Sequence, residues 1–151
     1  MLRYVLYACI LCFFTYLGYF FSERYRKRGK FFHRFSEFHA AYLSEIKYLK
    51  RPLGELLNGL PPSDFSDFMR MQMQQKQQPV GYLKPDEKEF LREYLSLLGR
   101  TDAISQTEYF SSVTAKLKSF ETRAVEEGKK YTDLYIKLGF LLGLTVIIFL
   151  A

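Results

Sequence analysis

The stretch that decides the fold is LGFLLGLTVIIFLA, Leu138–Ala151, in which fourteen consecutive residues carry no charge and almost all are apolar. A second stretch, YVLYACILCFFTYLGYFF (Tyr4–Phe21), has eighteen uncharged residues. At a rise of about 1.5 Å per residue, eighteen residues make roughly 27 Å of helix, close to the thickness of a bilayer core. Extending the later stretch back to Leu134 gives a similar length and includes only Lys137, whose amine can reach the interface. Both stretches therefore predict transmembrane helices.

Basic residues beside the first apolar stretch predict its orientation. Only Arg3 precedes the stretch and only Glu23 opposes the basic cluster that follows it, which consists of Arg24, Arg26, Lys27, Arg28 and Lys30. The positive-inside rule then places the segment between the two spans in the cytoplasm. We expect the basic cluster to face anionic lipid head groups, so the net charge of +6 indicates membrane attachment and not nucleic-acid binding.

The middle of the chain has the apolar spacing of helices. Apolar positions 31, 35, 38, 42, 46 and 49 form one stripe of an amphipathic helix from Phe31 to Leu49. Pro52 is expected to open a short helix that closes at Asn58-Gly59, and Ser63 or Asp64 to cap a helix through about Met73. The glutamine-rich tract 71–79 is predicted to be a frayed helix end or a loop. The stretch KPDEKEFLREYLSLLG predicts a further helix, opened by Pro85 and ended by Gly99.

A single helix is predicted from about Asp102 to the end of the second span. Its apolar positions form a heptad seam that is broken only at Glu127, and they are 110, 113, 117, 120, 124, 131, 134 and 138. No stretch alternates as a strand would. The sequence therefore predicts an all-α fold, with an antiparallel helical bundle (22–133) between an N-terminal transmembrane helix (1–21) and a C-terminal one (134–151).

Residues that could carry chemistry are present but are not arranged as a site. Neither phosphate-binding glycine motif occurs, and His33 and His39 lie six residues apart on different helical faces, as expected of solvated or interfacial histidines. Cys9 and Cys12 fall inside the first span, where soft apolar packing is the simplest role. The carboxylate pairs are typical of solvated helix faces, namely Asp64 with Asp67 and Glu126 with Glu127. We predict no catalytic, cofactor-binding or metal site.

Two other features suggest contacts. Glu45 lies in the register of the apolar stripe, either at its edge facing solvent or buried against a basic partner. Gly139 and Gly143 form a G-x-x-x-G motif in the second span, a spacing that lets helices approach closely. Gly18 in the first span offers a small site for that contact, so we predict helix packing at these three glycines.

Three stretches together resemble a known family. They are FLREYLSLLGRTDAISQTEYF (residues 90–110), YLSEIKYLKRPLGELL (42–57) and KKYTDLYIKLGFLLGLTVIIFL (129–150). In order and spacing they are similar to the stage III sporulation protein AB family of endospore-forming bacteria. The resemblance implies a component of the channel-like complex between mother cell and forespore, with a cytoplasmic domain similar to the F-type platform protein of type II secretion. It also implies a cytoplasmic partner, the sporulation AA-type ATPase.

The resemblance predicts a non-catalytic scaffold that couples this ATPase to the membrane assembly. Further partners would be membrane lipids and other proteins of the same operon, with self-association left open and no nucleic acid. The protein would be multi-pass in the mother-cell membrane facing the forespore. Glu45 and Glu55 match family positions and could meet a basic ATPase surface, or act as local caps or ion-pair partners. Two alternatives are a small membrane enzyme acting on a lipid-linked substrate and a simple tether.

Overall fold

The computed structural model of the protein describes residues 2–46, 53–74, 80–98 and 103–150. Within these residues the chain forms helices and no strand: α1 (Leu2–Ser44), α2 (Leu53–Asn58), α3 (Asp64–Met73), α4 (Pro85–Leu97) and α5 (Ala103–Leu150). The all-α prediction is therefore confirmed. Several predicted features fall outside the described residues, namely Leu49, Pro52, Gly99, Asp102 and positions 75–79 of the glutamine-rich tract.

The shorter helices begin where local chemistry predicts. Ser63 caps α3, because its side-chain oxygen accepts the Ser66 N–H at 3.1 Å and the Ser66 hydroxyl oxygen accepts the Ser63 N–H at 2.9 Å. Pro85 occupies the first turn of α4, and the Glu87 carboxylate accepts the N–H of Lys84 at 2.9 Å. These caps satisfy backbone donors that have no partner inside the helix.

Internal contacts divide the chain into two compact units. We call residues 30–123 the body, and residues 1–29 with 124–151 the helix pair. Hydropathy predicts divisions at 21 and 134 instead, inside the uninterrupted helices α1 and α5. The ends of the membrane spans therefore stay a prediction, and the helix pair includes polar residues beyond them.

The core of the body is built largely from aromatic rings. Phe35 on α1 lies 5.2 Å from the Phe65 ring of α3 and 4.8 Å from the Tyr94 ring of α4, measured between centroids. Phe32 stacks on Phe120 of α5 at 5.8 Å. Edge-to-face and offset contacts of this kind add to the hydrophobic gain of burying large rings. Four members of the predicted apolar stripe are buried in this core, namely Phe31, Phe35, Phe38 and Tyr42.

His39 is a core residue, so the prediction of a solvated or interfacial histidine is wrong for it. Only 2% of its surface is exposed. Nδ1 lies 3.1 Å from the Tyr94 hydroxyl and Nε2 lies 2.9 Å from the Thr114 hydroxyl. The Thr114 hydroxyl donates to the carbonyl of Phe110, so its oxygen accepts Nε2–H, and Nδ1 is left to accept the Tyr94 proton. This is a neutral imidazole, and burial lowers the pKa of His39.

The histidine that fits the solvated prediction is His33. Its side chain is 59% exposed and its Nδ1 lies 2.9 Å from Oε1 of Glu121. Burial raises the pKa of Glu121, but hydrogen bonds from His33, Lys118 and Ser36 outweigh it and hold that pKa below the ordinary 4.5. Glu121 therefore does not titrate near neutral pH.

The buried imidazole predicts that acid destabilises the protein near pH 6. Because the pKa of His39 is lowered, the unfolded state binds a proton more readily than the folded state. The stability that the neutral imidazole contributes is therefore present above about pH 6.5 and is lost as the pH decreases below that value. We expect the melting temperature to drop between about pH 7.5 and 5.5, and His39→Gln to flatten that dependence. Thermal melts followed by circular dichroism measure it. His33→Gln is the control, and an equal flattening there would contradict the assignment.

Candidate functional site

The helices of the helix pair touch through glycines. A Cβ atom on Gly18 would overlap the carbonyl oxygen of Tyr135, and one on Gly139 would overlap the carbonyl oxygen of Phe14. Gly143 is less tight, because a Cβ there would sit 3.4 Å from Cα of Leu11. The structure thus brings all three predicted glycines into one interface between antiparallel helices. Small residues at such a crossing let helix backbones approach closely.

The glycines recur at a common spacing on both helices. Gly18 and Gly29 on α1 are eleven residues apart, as are Gly128 and Gly139 on α5. Eleven residues make about three helical turns, so each pair lies on one face. A Cβ on Gly29 would lie 3.5 Å from the carbonyl oxygen of Ala124, and one on Gly128 would lie 3.4 Å from that of Tyr25. The contact therefore extends beyond the predicted spans.

The predicted heptad seam is wrong at the end of α5. Leu134 and Leu138 are exposed, at 44% and 45%. Contact with α1 passes instead through Gly128 and Gly139, because glycines allow a backbone approach that leucine side chains would block. Beyond Ala124 the interface therefore follows the glycine spacing, although the seam position Tyr131 also contacts α1.

Away from the glycine interface, the helix pair presents large apolar side chains outward. Exposed examples on both helices are Tyr4, Val5, Phe13, Phe20, Leu141, Leu142, Ile148 and Phe149. By length and composition, α1 and α5 can each cross a membrane, and only 11% of the most apolar window in each is buried. An apolar surface of this extent is typical of contact with lipid or with another apolar partner.

A buried ion pair joins the same two helices. Nη1 of Arg28 lies 2.5 Å from Oε2 of Glu127, with the two side chains 3% and 24% exposed. Glu127 is the position that breaks the predicted seam, and its role as a solvated carboxylate is also wrong. Arg28 is buried, so it cannot face lipid head groups as predicted. The reason is geometric: Gly29 and Gly128, the neighbours of the two charged residues, let the helices come close enough for the side chains to pair.

The other members of the basic cluster differ in their surroundings. The Arg26 guanidinium lies 3.8 Å from the Tyr19 ring centroid and donates to the hydroxyl of Tyr19. Lys27 pairs with Glu23 at 3.0 Å, and both side chains are nearly half exposed. Arg24 and Lys30 are exposed. These four residues keep the predicted role as a lipid-facing cluster open.

Sequence reasoning missed the contribution of Tyr25 to the helix pair. Its ring stacks on Tyr131 at 4.5 Å and lies 6.0 Å from Tyr135. The three tyrosines close the interface between the glycine contacts at Gly18 and Gly128. The tyrosines at 131 and 135 stand one helical turn apart, which is the only signal the sequence offered.

The two predicted partner-binding glutamates lie on different elements. Glu45 is partly buried in a π-helical turn that follows α1. Glu55 is exposed in the first turn of α2, and its backbone carbonyl accepts the N–H of Gly59 at 3.2 Å. Their role in binding a partner stays a prediction.

The remaining candidate carboxylates are separately engaged. The Tyr82 hydroxyl donates to Asp64 at 3.2 Å, and Arg70 lies 3.6 Å from Asp67. Across the described parts of the chain, no three histidine, cysteine or acidic side chains gather as metal ligands would. Cys9 and Cys12 are exposed free thiols on the helix pair.

The fold and the helix pair together define a class: small all-helical proteins with a helical body and two apolar helices of membrane length. The family model described as stage III sporulation protein AB matches residues 62–151, more than half of the chain. The chain belongs to this family. No curated protein and no solved structure matches it.

The family match covers α3, α4 and α5. It includes two of the stretches that carry the resemblance, residues 90–110 and 129–150. The third stretch, with Glu45 and Glu55, precedes the matched range. Family membership therefore rests on the C-terminal three-fifths of the chain and adds nothing to the case for these two glutamates.

The glycine contacts predict that alanine substitutions at Gly139 and Gly29 change the stability of the protein differently. Gly139→Ala gains roughly 1 kcal/mol of helix propensity but forces a methyl group into the Phe14 carbonyl, at a cost of about 1–3 kcal/mol. We expect net destabilisation, measured by thermal denaturation in mild detergent. Gly29→Ala is the matched control, because its methyl group would fit at 3.5 Å, and it should be neutral or stabilising. Equal effects at both positions would contradict the contact.

The buried ion pair predicts strong non-additivity. Arg28→Met removes the charge that pairs with Glu127 and should cost about 1.5–3 kcal/mol, whereas the double substitution Arg28→Met with Glu127→Met should recover most of that loss. Chemical denaturation of the four proteins in detergent gives the coupling energy. Glu23→Gln, which removes a surface pair, should cost less than about 1 kcal/mol. Additive losses at 28 and 127 would refute the pairing.

Proposed function

We propose that the protein is a non-catalytic, membrane-anchored platform subunit of the stage III sporulation complex, which couples the cytoplasmic AA-type ATPase to the membrane assembly. The observation that carries this proposal is the helix pair, in which two apolar helices contact backbone to backbone at Gly18 and Gly139. A simple tether needs only one apolar helix that holds a protein at the bilayer. Two helices fixed to each other suit a subunit that must keep its shape under load.

The buried ion pair adds to this argument. Arg28 is buried and Glu127 is mostly covered at the end of the glycine interface, where loss of either partner destabilises the contact. Such a pair resists sliding of one helix along the other, because a shift of one turn separates the charges. The proposal uses this rigidity.

Charge supports placing the body on the cytoplasmic side. Arg24 and Lys30 are exposed after the first apolar stretch, and Lys129 and Lys130 are exposed before the second. Basic residues at both flanks favour retention on the side that carries anionic lipid. That side of the mother-cell membrane is where a cytoplasmic ATPase would be reached.

The enzymatic alternative has less support. It would need carboxylates that converge on one substrate, but Asp64 and Asp67 contact Tyr82 and Arg70, while Glu127 holds Arg28. Each of these carboxylates has a structural partner of its own.

Anchor replacement tests the platform role against the tether. In an endospore-forming host that lacks the gene, residues 1–21 and 134–151 are exchanged for two unrelated membrane spans. We expect sporulation to fail although the variant reaches the membrane, because the glycine contacts are lost. Gly29→Ala, which keeps the native spans, should sporulate normally and serves as the control.

Retention of the ATPase provides the second measurement. After mild crosslinking and detergent extraction, the wild-type chain should copurify with the AA-type ATPase. Full sporulation by the anchor-replaced chain would contradict the platform role and would favour a simple membrane tether. Failure of the wild-type chain to retain the ATPase would remove the coupling role.

A further inference from the structure

An open groove lies on the body between α3 and α4. Its volume is about 580 Å³, and buried apolar side chains form its floor, namely Phe68, Leu83 and Leu91. Leu95 extends this apolar surface and is only partly covered. The groove lies wholly inside the range matched by the family model.

Two cations stand at the rim of the groove. Lys88 and Arg92 line it, and both are exposed. With Leu91 and Leu95 they occupy positions i, i+3, i+4 and i+7 of α4, so one helical face alternates charge with apolar surface. Among the described residues, neither side-chain cation has a hydrogen bond or an ion pair. Asp86, on the same helix, instead pairs with Arg123 at 3.6 Å.

Two acidic side chains beside the groove have contacts of their own. A smaller depression of about 310 Å³ shares Phe68 and Val80 with the groove and contains Asp64 and Asp67. Asp64 accepts the Tyr82 hydroxyl, and Asp67 lies 3.6 Å from Arg70. The described residues that line the groove include the two cations and no carboxylate, so the charge on its lining is positive.

We infer that this groove binds an amphipathic helix of a partner protein, with carboxylates beside its apolar anchors. Helix-in-groove recognition places apolar side chains on an apolar floor at i, i+3, i+4 and i+7 spacing. Charges at the rim select the partner and its direction. The chain's own 75–79 segment, QKQQP, does not supply that charge, since it carries a lysine and no carboxylate.

The inference rests on the proposed function for the identity of the partner, because a platform subunit needs a docking surface for its motor. The chemistry of the groove can be tested separately. The probe is a synthetic amphipathic helical peptide with leucines at i, i+3, i+4 and i+7 and with glutamates beside them. A second peptide, in which lysine replaces every glutamate, is the matched comparison. The full chain is held in nanodiscs of zwitterionic lipid.

Fluorescence anisotropy compares the two peptides. We expect the acidic peptide to bind at least about tenfold more tightly than the basic one, and the double variant Lys88→Glu with Arg92→Glu to reverse the preference. Leu95→Glu should weaken both peptides. The control is Lys116→Glu with Lys118→Glu, which changes net charge equally at exposed positions outside the groove and should keep the acidic preference. All variants are first shown to melt like the wild type.

Equal binding of the two peptides, or an unchanged preference in the groove variant, overturns the inference. Displacement of the acidic peptide by anionic lipid vesicles, in a manner that depends on Lys88 and Arg92, also overturns it in favour of a lipid site. Copurification separates this result from the proposed function. If the double variant Lys88→Glu with Arg92→Glu loses both the acidic peptide and the ATPase while the control retains both, both proposals stand. If the wild type fails to retain the ATPase, the coupling role fails and the peptides still decide the groove.

Discussion

The close approach of two helix backbones at Gly18 and Gly139 is the constraint on which the helix pair depends. At these points a carbonyl oxygen of one helix occupies the space of a side chain on the other. Lipid chains are as apolar as leucine, so in the proposed membrane setting hydrophobicity alone gives two such helices little reason to associate. Close packing and the nearby Arg28–Glu127 pair supply that reason, and the stacked tyrosines at 25 and 131 fill the width that the glycines leave.

The body meets a different problem, since few residues must make a core. It uses rings: Phe35 alone contacts the rings of Phe65, Phe90 and Tyr94. A large ring buries much apolar surface for the loss of only two side-chain torsions. Two buried polar side chains in this core have partners that match their chemistry: His39 lies between two hydroxyl groups, and Glu87 closes the first turn of α4. These two buried polar side chains therefore cost the core little free energy, because their hydrogen bonds are satisfied.

Local signals predicted the elements well and their contacts poorly. Apolar spacing and caps located the helices, because Ser63 and Pro85 act on neighbours within one turn. Charge reasoning misplaced Arg28, whose partner is 99 residues away and invisible to any local rule. The six-residue spacing of His33 and His39 predicts solvated or interfacial histidines on different helical faces, and it carries no information about which helices cover each face. In the body, α1 contacts α3, α4 and α5, so Phe32 and His39 beside the stripe are buried as well. The G-x-x-x-G motif can be recognised in the sequence, but the residues of α1 that it contacts, Phe14 and Leu11, cannot.

In the proposed membrane topology, burial of Arg28 also has a consequence for biogenesis. Ribosomal synthesis makes this arginine 99 residues before its partner Glu127, so it is a fully exposed cation while the first span is inserting. At that moment it contributes its whole charge to the signal that fixes the direction of insertion. Once the second span has been made and has come alongside, that charge is neutralised. One residue can thereby orient the nascent chain early and hold the finished hairpin together later.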